Sequence, residues 1–235
     1  MKKMTQKEFD SIEKNEYGVK EIPSHTDLTD IKSFGKHCSF GKGCRFGYDC
    51  SFGENCGFGE HCRFGEYCSF GEHCSFGKGC RFGENCSFGE CCRFGENCSF
   101  GWNCSFGKLC SFGKGCGFGE GCSFGKLCSF GGWCSFGKGC SFGEECSLGE
   151  GCLYNGVEFK KYYQFGGFGS VNRTTRVYLL TDNSVLIECG CQIGLTIEEF
   201  KDRVESEYEP NTEHGILYRQ IIQTIESIIS INKGE

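Results

Sequence analysis

Residues 38–50 read CSFGKGCRFGYDC. A cysteine recurs at every sixth position, a phenylalanine stands two places after it, and a glycine follows the phenylalanine. The register holds well beyond this stretch. Twenty cysteines run from Cys38 to Cys152, nineteen phenylalanines from Phe34 to Phe142, and an unbroken glycine ladder from Gly35 to Gly149. Leu148 and Tyr154 continue the phenylalanine ladder. A fixed short period of this kind marks a solenoid, in which each repeat buries its apolar side chains against its neighbours. The unit is Phe-Gly-x-x-Cys-x. Cys and Phe lie two residues apart on a strand and therefore point to one side, inward, while the Ser, Arg or Gly between them points out. Glycine is expected at the corner, where a backbone without a Cβ bends tightly. Free cysteine behaves as a small hydrophobe, so bulky Phe beside small Cys fills a narrow prism without overpacking.

The unit resembles the hexapeptide repeat of left-handed parallel β-helices. That repeat has an aliphatic residue, then Gly or another small or acidic residue, two free positions, a small residue and one free position. The resemblance covers about half the chain, and the family prefers Leu, Ile or Val where this sequence has Phe. It implies triangular coils of three hexapeptides each. The sequence carries a matching 18-residue signal of its own. Lys42, Glu60, Lys78, Glu96, Lys114, Gly132 and Glu150 are spaced by 18 and alternate in charge through Lys114. Stacked strands place such residues side by side as favourable cross-strand pairs. Arg45, Arg63 and Arg81 are also 18 apart, as are Leu109 and Leu127. A four-sided coil of 24 aligns none of these sets. The expected fold is mainly β: a left-handed parallel β-helix of about six to seven triangular coils with a Phe/Cys ladder core, and a small α+β C-terminal domain.

The domains follow from where the period starts and stops. Residues 1–33 are expected to cap the first coil, with a short helix near 5–15 opened by the capping-box pair Thr5 and Glu8. Residues 34–153 form the β-helix. Residues 154–235 form the small α+β domain. Within it, Arg176–Leu180 and Val185–Cys191 read as a hairpin turning through Asp182 and Asn183. Thr196 and Glu199 open a helix carrying Ile197, Phe200 and Val204. A second helix near 214–230 presents Leu217, Ile221, Ile222, Ile225, Ile228 and Ile229 at helical spacing. This wide isoleucine face is expected to pack on its own hairpin, with recruitment of a partner through Ile221 and Ile225 as the alternative. The style of this segment resembles the tails of uncharacterised proteins of gut bacteria and their phages, a resemblance that implies no activity.

The charge distribution narrows the function classes. The formal net charge is -6, the repeat is nearly neutral with 11 basic against 12 acidic residues, and the excess acid lies after it. No basic footprint for nucleic acid is present, and the repeat carries no net field with which to mimic DNA. No stretch approaches the length of a membrane span, and no apolar run follows the first lysines as in a signal peptide. The chain is expected to be cytoplasmic. Its cysteine count is odd and its ladder strictly regular, unlike a secreted disulfide framework. Uniform spacing by six suits neither a tetrahedral zinc site nor an unstrained disulfide, so the cysteines read as packing, with metal, cluster or redox use as the alternative. Cys189 and Cys191 share a strand face, but no second pair completes a zinc site. Cys91, in GECCRF, occupies an outward position and is the candidate exposed thiol.

No cofactor, metal site or catalytic residue is expected. The acyltransferases of the hexapeptide family are trimers with a catalytic histidine at the subunit cleft and usually a loop extruded from the coil. Here the units run without insertion, and His37, His61 and His73 are scattered over two faces, with His25 and His214 outside the repeat. An acyltransferase is therefore the runner-up. The repeat has no threonine, which excludes the ranked threonines of ice-binding β-helices. The glycine-rich FGGFGS at 165–170 precedes no helix start and reads as a turn rather than a phosphate loop. The favoured function is a non-enzymatic rigid scaffold or protein-binding protein, a phage-related binder of a host factor being one version. A protein partner or self-association as a homo-oligomer is expected, with no nucleic acid and no membrane. The candidate interface residues are Trp102, Leu109, Leu127, Trp133, Ile221 and Ile225, since clustered exposed apolar groups mark interfaces.

Overall fold

The computed structural model describes residues 1–143, 146–154, 156–168, 173–181, 183–189 and 192–233. The chain forms two units, Met1–Gly156 and Val157–Glu235.

The first unit is a parallel solenoid of about seven coils with three faces. The first face runs from Lys20–Ile22 through Cys38–Phe40 and Gly57–Phe58 to Ser147–Leu148. The second runs from Lys2–Lys3 and Thr26–Leu28 through Arg45–Phe46 to Leu153–Tyr154. The third runs from Ser51–Phe52 to Ser141–Phe142. Neighbouring strands pair at an offset of 18 residues, placing Phe58, Phe76 and Phe94 in register. The ladder begins upstream of the consensus period, because Lys20–Ile22 pairs with Cys38–Phe40 and Asp27 with Arg45. Ile22 and Leu28 are buried where later coils carry Phe, and Thr26 is buried where they carry Cys. Residues 20–33 are therefore wound as a coil. The helix before them, α1 (Gln6–Asp10), starts at the capping box of Thr5 and Glu8 and stops well short of residue 15. Its buried Phe9 meets the ring of Phe34 edge-on at 5.2 Å, which covers the N-terminal end of the aromatic prism.

Three columns of rings fill that prism. Phe64 stacks on Phe82, one coil on, at 4.8 Å, and meets Phe70 and Phe76 edge-on at 5.1 and 5.9 Å. Strand spacing sets the stacking distance, and offset-stacked and edge-to-face contacts are the two favoured arrangements of ring quadrupoles. The cysteines do more than fill space. From Cys56 to Cys152 each ladder thiol donates to the carbonyl of the glycine 21 residues earlier, for example Cys80 Sγ to Gly59 O at 3.3 Å and Cys98 Sγ to Gly77 O at 3.4 Å. Among the described residues the Gly59 carbonyl has no backbone donor, so the thiol satisfies an otherwise orphaned acceptor inside the rod.

Glycine's role differs from the sequence expectation. Apart from Gly35 at φ 67°, the residue in the left-handed region is not the glycine after Phe but the one just before Cys, such as His61 at φ 58° or Asn97 at 56°. The glycine after Phe is required by close approach. A Cβ on Gly83 would lie 2.6 Å from Glu66 N and 2.7 Å from Gly65 C, both backbone atoms of the coil below. Gly57, on the outer side of the first face, would place its Cβ 3.6 Å from the nearest atom, Ser75 Oγ. Gly83→Ala is expected to destabilise the rod by about 1–3 kcal/mol through forced separation of two coils. Gly57→Ala is expected to be neutral or to stabilise by up to ~1 kcal/mol. Denaturant midpoints of the two variants check this, and equal effects would refute the assignment of close approach to Gly83.

The second unit is an antiparallel sheet of Val157–Phe168, Arg173–Leu180, Val185–Cys189 and Gln192–Leu195, covered by α2 (Ile197–Glu207) and α3 (Glu213–Lys233). The capping box of Thr196 and Glu199 opens α2. Val177, Leu179, Val185 and Ile187 pack against Phe200, Val204, Tyr218 and Ile222. Ile221 and Ile225, read as a candidate interface, are 3% and 0% exposed in this same core. Their helical stripe is covered by the unit's own sheet, so they offer no docking surface. Asp182 of the hairpin turn lies outside the described residues, and Asn183 takes φ 64°. No helix among the described residues is long and apolar enough to cross a membrane.

Candidate interaction surface

Function on the solenoid unit has to come from what projects outward from faces and corners. Each corner is built by the two free positions of the repeat. The second of them, just before Cys, has positive φ throughout the described coils, a conformation disfavoured for residues with a Cβ and best tolerated by Gly, Asn and Asp. Most corners obey that chemistry or use His. The exceptions are Tyr67, Cys91, Leu109, Leu127 and Trp133. Leu109 and Leu127 are 46% and 45% exposed, at φ 60° and 59°. Each therefore sits in a strained backbone with no burial in the rod to offset it.

The 18-residue offset puts Cys91, Leu109 and Leu127 in one column, on the corner between the third and first faces. Cys91 is half-buried and so contributes a third apolar rung beneath the leucines. Lys108 stands beside Leu109 and pairs with Glu90 at 3.2 Å. Sequence reading treated Cys91 as an isolated thiol. Its place in the column follows once the turn length is known.

The tryptophans do not join this strip. Trp133 is on the corner between the first and second faces, and Trp102 is on the corner between the second and third, so all three edges of the prism are used. Trp133 also has local partners. A Cβ on Gly151 would lie 2.4 Å from Trp133 Cδ1, so the indole lies across that glycine, and Lys114 Nζ sits 5.4 Å from the ring centre. The whole corner alternates in this way: His25 lies over Gly43, His61 over Gly79 and Asn97 over Gly115. The charged position beside it alternates as the sequence implied, with Lys42–Glu60 at 3.3 Å and Lys78–Glu96 at 3.6 Å. Trp133 is thus the large member of a structural series, whereas no such series accounts for the leucines.

His37 and His73 share a corner column two coils apart and His61 is on another. Among the described residues no three His, Cys, Asp or Glu side chains converge in a metal-binding group. In the second unit, Thr175 Oγ1 donates to Cys189 Sγ at 3.4 Å and Cys189 Sγ lies 3.7 Å from the Tyr218 hydroxyl. Burial, followed by contact with Cys189, raises the Tyr218 phenol above its ordinary range. Cys191 lies outside the described residues. No family model, curated protein or solved structure matches the chain, so its surface is read from its own residues.

Proposed function

We propose that the chain is a non-enzymatic binding rod on the left-handed hexapeptide plan, which engages a protein partner through the Cys91–Leu109–Leu127 corner. The six-residue unit and the three faces support the plan. The observation that carries the binding reading is the pair of exposed leucines in left-handed backbone, which burden the folded rod without packing inside it. The partner's matching surface is an apolar furrow about two coils long, roughly 10 Å.

The test exchanges Leu109 and Leu127 for asparagine, the residue that the same corner column carries at Asn55. The double variant is expected to melt at the same or a higher temperature, with a gain of roughly 1 kcal/mol per site from relief of backbone strain. It is also expected to lose one defined partner that the wild-type full chain retains from lysate. Identical retained proteins from both chains would reject the reading. A dimer formed by the wild type and lost in the variant, read by light scattering, would assign the corner to self-association instead.

A further inference from the structure

We infer that the second face carries a binding strip for an acidic protein segment, formed by Arg45, Arg63 and Arg81. This strip lies on a different part of the rod from the leucine corner and does not depend on it.

The three arginines occupy the outward position of consecutive strands and pair directly, Arg45 with Arg63 and Arg63 with Arg81. Their backbones are therefore about 4.8 Å apart. Like charges directly opposite on neighbouring strands destabilise a sheet, and a guanidinium does not relieve the repulsion by losing its proton. All three side chains are exposed, and none of the three guanidinium groups makes an ion pair or hydrogen bond among the described residues, although the backbone N–H groups of Arg63 and Arg81 donate to Cys44 O and Cys62 O. Nearby acids are committed elsewhere or stand off. Glu60 is held by Lys42 and Glu96 by Lys78. Asp27, one rung below Arg45, accepts from the Thr29 hydroxyl and backbone N–H, and these bonds, ahead of any charge effect from Arg45, lower its pKa. Serine serves the same outward position at Ser99 and Ser135, so the fold does not require arginine there. Beside the strip, on the following corner, Tyr48 and Tyr67 are 66% and 58% exposed. Arginine with tyrosine is the composition enriched where protein interfaces concentrate their energy.

The length of the strip selects the class of partner. Three rungs span about 10 Å. Asp27 ends the strip on one side and uncharged Ser99 on the other. The adjoining corner carries Asp49, Glu66 and Glu84, which confines an anionic partner to the short strip itself. A nucleic-acid backbone needs a longer basic track than three rungs. Two or three carboxylates of a protein segment fit, each taken by the planar fork of an arginine.

The test uses the full chain and its triple variant Arg45→Ser, Arg63→Ser, Arg81→Ser. Probes are fluorescein-labelled octaglutamate, octaserine and octathymidylate, read by anisotropy at low salt. Octaglutamate is expected to bind the wild type saturably and octaserine not to bind. The triple variant is expected to bind octaglutamate about tenfold more weakly or worse, and to melt at the same or a higher temperature because the stacked charges are gone. Three results would each overturn the inference: octaglutamate affinity that is absent or unchanged in the variant, tighter binding of octathymidylate than of octaglutamate, or a lower melting temperature in the variant, which would make the ladder structural.

Discussion

Raising the pH to about 10 under reducing conditions is expected to destabilise the solenoid. Cys80, Cys86, Cys92, Cys116 and Cys122 are all 0% exposed. Each lies next to the thiols one coil above and one coil below. Those neighbours first, and burial second, hold the five thiols protonated far above the ordinary range. Cys74, raised first by Cys56, is pushed up to about 12. The folded pKa thus exceeds the unfolded value of about 8.5. Below that value both states hold the proton and pH has no effect. Above it the unfolded chain binds fewer protons than the folded one, so stability falls as pH rises. The neighbours that raise them, such as Cys62, Cys98 and Cys104, are lowered to about 4 by the same contacts. The contact effects within a column therefore offset one another, and what remains is the burial that disfavours a thiolate at every site. The loss at pH 10 is expected to be on the order of a few kcal/mol. Far-UV circular dichroism during an alkaline titration, with thiolate absorbance followed in the same sample, checks this. The two signals are expected to change together near pH 9–10 and to recover on return to pH 7. A thiolate signal from intact rods, or rods stable throughout that range, would mean that the columns ionise in place and that the cysteines are not neutral packing.

That expectation rests on a core that is legible residue by residue. Phe and Cys two positions apart fix the inward side of every strand, and the matches at 18 fix the number of faces, because only one turn length stacks Arg45 on Arg63 and Leu109 on Leu127. The coil at residues 20–33 is hidden in the sequence because its inward residues are Ile22, Thr26 and Leu28, chemically equivalent to Phe and Cys in filling the prism but without the repeat's letters. Glycine is legible as obligatory but not for the right reason. A periodic glycine signals either positive φ or close approach, and only the contact of Gly83 with the backbone of the previous coil separates the two. The capping boxes at Thr5 in the first unit and Thr196 in the second are visible because both partners of each lie within one helical turn. The strand Val157–Phe168 is not, since its register shifts between Phe159 and Lys161 break the alternation that would announce it. As for the candidate surface, Leu109 and Leu127 are legible as stacked and exposed. Their backbone strain is not, because the sequence does not say which free position carries the positive φ. Ile221 and Ile225 show the converse limit: an apolar helical stripe looks the same in sequence whether its cover comes from the same chain or another.

Phe88→Ala is the substitution expected to damage the rod most. Phe88 stacks on Phe70 and Phe106 at 4.8 Å each. It also meets Phe82 and Phe94 edge-on at 5.0 and 5.1 Å, and Phe76 and Phe100 at 5.8 and 5.7 Å. Truncation removes all six ring contacts and leaves a cavity that the coils cannot close. Gly89 N is bonded to Phe70 O, and Gly107 N to Phe88 O, both at 2.9 Å, which holds the three backbones at strand spacing. A site that cannot collapse loses the transfer energy and the full cavity term, so the cost is expected at the upper end of about 3–5 kcal/mol. Phe88→Leu supplies the control, since Leu148 serves the same position in a later coil. It keeps most of the apolar volume and is expected to cost about 1–2 kcal/mol. Because each coil touches only its neighbours, the loss in Phe88→Ala should also be local. Limited proteolysis is expected to open the chain near residue 88 before either end is cut, and urea unfolding gives the size of the loss. A cost below about 1 kcal/mol for Phe88→Ala would mean that the rings are loosely arranged and that the backbone ladder alone carries the rod.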